Sequence, residues 1–119
     1  MFAAYYGIVV GILMFAQWGF FLAAGQVPEV QTEPIRLAFH LAAEFITAAG
    51  LVITGIGLLK KWTWARGWFL AAVGMVIYSE VVSPGYFAQQ GQWIFVVMFA
   101  VLLAGAILAA IQVAKTVFK

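Results

Sequence analysis

Three ionisable side chains, His40, Glu44 and Glu80, stand inside otherwise apolar stretches of this chain, and with Gln17 they are its candidates for chemistry. His40 and Glu44 are four residues apart, hence neighbours on one face of a helix. Thr47 and Thr54 continue that face and give it a polar stripe, and Tyr78 is a secondary candidate beside Glu80. A charged side chain at the centre of a bilayer costs about 2.5–3.5 kcal/mol on insertion scales, so one kept there calls for a partner or a function. Such a cluster can exchange a proton as a coupled set, or hold the polar end of a ligand.

Other chemistries fit less well. His40, Glu44 and Glu80 supply a histidine and two carboxylates, but carboxylate di-iron bundles use Glu-x-x-His, whereas the order here is His-x-x-x-Glu. No metal site is therefore expected. A haem would have His40 and the scattered Met14, Met75 and Met98, with no paired axial set. The absence of cysteine excludes disulfides, thiolate metal sites and thiol catalysis. With no nucleophile–base pair and no nucleotide loop, catalytic residues and an enzymatic role are not expected, and no particular cofactor is indicated.

The elements that must position these residues are apolar segments. Of the 119 residues 66% are hydrophobic and 8% charged, and the mean hydropathy is +1.09; soluble domains carry roughly 25% charged residues. We read the chain as one all-α integral membrane domain, 1–119, with spans at about 3–24, 34–59, 65–83 and 93–114. Each approaches the roughly 20 residues that cross about 30 Å of hydrocarbon. The first lacks the basic start of a signal peptide and is expected to be retained. Thr32 and Pro34 suit the start of the second, and Lys60-Lys61 its end. Pro84-Gly85 is expected to stop the third, leaving an aromatic, amide-rich loop from Ser83 to Trp93.

Lys60, Lys61, Arg66, Lys115 and Lys119 fall on one side of this layout and Arg36 on the other. The positive-inside rule then gives an up-down-up-down bundle in the cell membrane with both termini cytoplasmic and the Pro28 and Pro84 loops outside. The basic residues sit at helix ends and form no patch for nucleic acid. At about 1.5 Å per residue, counted from Arg36, Pro84 and Ala24, His40 lies ~6 Å deep, Glu44 ~12 Å, Glu80 ~6 Å and Gln17 ~10 Å. All four fall in the outer half, where a bundle can bring them together. Lipid does not drive helices together as water does, so small residues must allow close packing: Gly7 and Gly11, then Gly50, Thr54 and Gly57, then Ala100 and Ala104. The run Gly11–Gln17 also echoes Gly74–Glu80 in residue type, as a duplicated pair of helices would.

Two roles fit. In the first, the protein is an accessory or interaction subunit that binds a lipid-like ligand or a larger membrane partner through its outer-leaflet cluster. In the second, it is a proton-coupled small-molecule transporter, working as a homo-oligomer with Glu44 as the proton site. Alternating access needs polar access from both sides, and the inner half offers only Thr47 and Thr54. The accessory role is therefore expected.

Overall fold

The computed structural model of the protein describes residues 1–25 and 29–117. Pro28 and Lys119 lie outside them. Its helices are α1 (Phe2–Ala23), the short α2 (Glu29–Thr32), α3 (Pro34–Leu59), α4 (Ala65–Gln89) and α5 (Trp93–Val117). The four long helices are each long and apolar enough to cross a membrane. Around the bundle α1 packs on α3 and α5, and α4 packs on α3 and α5, so α1 and α4 face each other diagonally. Ala3 meets Gln112 near the end of α5, and an added Cβ on Gly55, near the end of α3, would touch Ala4. Gly57 meets Ala65 across the next connection, and Phe87 meets Phe95 across the last. Successive long helices therefore run antiparallel, in a molecule 47 Å long and 25 × 19 Å across.

Local sequence accounts for the helix ends. Pro34 opens α3 at a position whose N–H needs no intrahelical partner. Glu33, not Thr32, is the residue before α3, and it caps the helix without a side-chain bond while pairing with Arg36 at 3.3 Å. At the far end Lys61 takes φ 59°, with Trp62 N–H donating to the Gly57 carbonyl and Lys61 N–H to that of Leu58. That is a Schellman ending, usually built on glycine. Gly91 (φ 74°) ends α4 in the same way, with Gln92 N–H donating to Phe87 and Gly91 N–H to Ala88.

Two expected boundaries are corrected by this geometry. The third segment does not stop at residue 83: α4 runs through Pro84 to Gln89, so most of the expected Ser83–Trp93 loop is helix. A proline removes one backbone bond and crowds the carbonyl four residues back, but a helix packed among neighbours tolerates this in apolar surroundings. The fourth segment likewise continues past 114 to Val117.

Packing follows from small residues rather than from inside–outside polarity. The outward face carries Ile35, Phe39, Ile46, Trp68, Ile94 and Val101, all well exposed, while Phe69, Leu51, Val73, Val76 and Val113 are fully buried. Gly7 and Gly11 bring α1 against α3: a Cβ on Gly7 would lie 3.1 Å from the Leu51 carbonyl oxygen, and one on Gly11 2.7 Å from that of Ala48. The expected small-residue seam on α5 is shifted. Ala100 and Ala104 are exposed, and Ala106 and Ala109, fully buried, form the contact instead.

Backbone atoms block any added methyl at Gly11, so Gly11→Ala should lower the thermal midpoint in mild detergent by the equivalent of about 1–3 kcal/mol. Gly19, with open space around it, is the control, and Gly19→Ala should not lower the midpoint; equal behaviour of the two variants would contradict the α1–α3 contact.

Candidate functional site

Helical spacing builds a groove between α3 and α4. His40, Ala43, Glu44 and Thr47 line it from α3, and Ala71, Gly74, Met75, Tyr78, Ser79, Val82 and Ser83 from α4. Each set recurs every three or four residues, one face of one helix. The cavity measures about 510 Å³ and is half open. Gly74 is among its lining residues, and an added Cβ there would meet nothing within 4 Å.

Glu44 forms the floor and is 9% exposed. Ser79 Oγ donates to Glu44 Oε1 at 2.8 Å, and His40 Nε2 stands 3.8 Å from the same oxygen. The separation suits an ion pair but is too long for a hydrogen bond. The His40 side chain is half exposed, and Trp18 of α1 packs edge-on against its ring at 5.5 Å. Thr47 is buried, and its hydroxyl donates back to the Ala43 carbonyl at 2.7 Å. Ser83 lies 3.4 Å from Ser79, oxygen to oxygen.

Glu80 belongs to a different place. It is buried in the bundle core, where the Tyr6 hydroxyl shares its one proton between Glu80 Oε1 at 3.1 Å and the Leu102 carbonyl at 2.6 Å. The Tyr6 ring passes over Gly105, where a Cβ would come within 2.7 Å of it. Glu80 Oε2 is buried with no hydrogen-bond partner among the described residues.

The structure therefore divides the residues singled out from the sequence. His40, Glu44, Thr47 and Tyr78 share the groove. Glu80, one residue on from Ser79, points to α1 and α5 instead. Gln17 is partly buried, makes no hydrogen bond among the described residues, and joins neither group. No three His, Asp or Glu side chains among the described residues gather closely enough to hold a metal ion. Because α4 continues to Gln89, Glu80 lies nine residues from that helix end, about 14 Å along the axis.

Ser79, Tyr6 and Gln112 went unrecognised in the sequence. Ser79 carried a signal, since Ser83 stands one turn away on the same face. Tyr6 reads as one more interfacial aromatic, and its partner lies on a helix distant in sequence. Gln112 resembles a polar residue near a helix end, yet its Oε1 accepts from the Ala3 N–H at 2.7 Å, satisfying a donor that the start of α1 leaves free.

An all-helical bundle with four helices fit to cross a membrane, and a polar-floored groove on one side, defines the class of protein. The chain belongs to the family described as Domain of unknown function (DUF8058), whose model matches residues 1–118. No curated protein and no solved structure matches it.

Removing the Tyr6 hydroxyl should leave the buried Glu80 without a donor. Tyr6→Phe is expected to cost about 1–2 kcal/mol of stability. Adding Glu80→Leu should restore most of it, since replacing both members of a buried polar pair can be nearly neutral. Losses that simply add in a double-mutant cycle would refute the pairing.

Proposed function

We propose that the protein is a cell-membrane accessory subunit, not an enzyme, that holds a lipid-like amphiphile in the groove between α3 and α4. One observation carries this: a nearly buried carboxylate, Glu44, forms the floor of a half-open groove of about 510 Å³ whose walls are otherwise largely apolar. A site with a few polar groups at one point and apolar walls elsewhere fits a head group followed by a chain. The exposed apolar flanks of α3 and α4, with Ile46 and Met75 among them, suit entry from the side, out of the lipid.

Transport is less well supported. A transporter with Glu44 as its proton site must open that site to each side of the membrane in turn. Leu51, Phe69, Val73, Val76, Ala106 and Val113 are packed tightly through the core, with no polar path among them.

We also propose that both termini are cytoplasmic. Lys60, Lys61, Arg66 and Lys115 fall at the end of the bundle where Ala3 meets Gln112 and Gly57 meets Ala65, and Arg36 falls at the other; the positive-inside rule orients that basic end inward. A reporter fused at the C-terminus should read cytoplasmic, and a tag after Gln90 should be reachable from outside. The opposite labelling would reverse the orientation.

The groove itself is tested by filling it. Gly74→Trp places an indole where space is free, so gently extracted protein should lose its co-purifying amphiphile in native mass spectrometry while keeping its thermal midpoint. Retention of the same amphiphile by the variant, or co-purification of a protein and no amphiphile with the wild type, would reject the proposal.

A further inference from the structure

The direction of the hydrogen bonds around Glu44 limits which head group the groove can take. The Ser79 hydroxyl has one proton, and it goes to Glu44 Oε1. The contact between Ser79 and Ser83 must then be donated by Ser83, because Ser79 has no second proton to give. Thr47 sends its proton to the Ala43 carbonyl. All three hydroxyls beside the carboxylate have thus turned their protons into the protein and present lone pairs to the cavity. His40 Nε2 stands 3.8 Å from Glu44 Oε1, beyond hydrogen-bond distance. Neither Lys nor Arg lines the groove, and apart from the His40 imidazole and the exposed Tyr78 phenol the polar atoms around Glu44 present acceptors.

On the reading that the groove holds an amphiphile, we infer that the head group it selects is a primary ammonium on an apolar chain. An ammonium brings three donors and no acceptor, the complement of such a floor. A hydroxyl head brings one donor and no charge. A carboxylate or phosphate head would bring further acceptors to a site whose own hydroxyls already present lone pairs.

The test compares dodecylamine, dodecanol, dodecanoic acid and dodecyltrimethylammonium for binding to the protein in phosphatidylcholine nanodiscs. The wild type should bind dodecylamine about tenfold or more tightly than dodecanol, the margin of a hydrogen bond to a charged group. Dodecyltrimethylammonium, which carries the charge without N–H donors, should bind more weakly than dodecylamine. Glu44→Gln should remove the amine's advantage and leave dodecanol binding within about twofold, since the amide still accepts a bond.

If dodecanol or dodecanoic acid binds as tightly as the amine, and Gly74→Trp abolishes both, the groove stands and the ammonium assignment is overturned. Equal binding of dodecyltrimethylammonium overturns the N–H donor requirement. Binding of every probe undiminished by Gly74→Trp removes the groove as the site and the inference with it. The amine-to-alcohol ratio is read on the wild type, so it decides the matter even where Glu44→Gln does not fold.

Discussion

A carboxylate buried among apolar helices must find its hydrogen-bond donors on a neighbour, because its own helix has already used its N–H groups. Two such carboxylates, on two helices, govern how this bundle fits together. Glu44 of α3 takes its donor from Ser79 of α4, which fixes the register of those helices along one side. Glu80 of α4 takes its donor from Tyr6 of α1, and Tyr6 also reaches the Leu102 carbonyl of α5. Polar contacts therefore link all four long helices. Ser79 and Glu80, adjacent in sequence, meet different neighbours of α4, since successive residues point about 100° apart around a helix axis.

These bonds form only where backbones come close. The approach of α1 to α3 at Gly7, Gly11 and Gly55 leaves no room for a methyl group, and Gly105 gives the Tyr6 ring its path to the core. The outward faces of these helices are apolar as well, so close fit rather than inside–outside polarity selects the packing. Where small residues are not needed for contact they leave space instead, and Gly74 lines the groove with Glu44. One residue type thus closes the core and lines the site.

Much of the helical layout was legible because apolar runs of about 20 residues or more are long enough for helices that cross a membrane and too long for strands. The bounds of α3, 34–59, match what Pro34 and the Lys60-Lys61 end imply. Pro84 misled because its local preference to end a helix is overridden when neighbouring helices hold the segment. The candidate site was half legible. His40, Glu44 and Thr47 share a face by spacing alone, and that face lines the groove. Which face of α4 meets it depends on rotation about the helix axis, and a helix apolar nearly all round gives no sequence signal for that. The hydrogen-bond partner of Glu80, Tyr6, lies 74 positions away in the sequence and stayed hidden.

Pro84 lies four residues after Glu80, so the backbone bond it removes is the one the Glu80 carbonyl would have accepted. That one bond is missing from the turn between Glu80 and Pro84, and helices bend most readily where such a bond is missing. Val82 and Ser83, which form the outer lip of the groove, sit in this weakened turn, while Gly74 and Met75 stand on intact helix. The mouth of the cavity is thus mechanically softer than its floor. A tilt of the last turns of α4, through Gln89, would move Val82 and Ser83 while the contact between Ser79 and Glu44, on the intact side of the missing bond, stays in place.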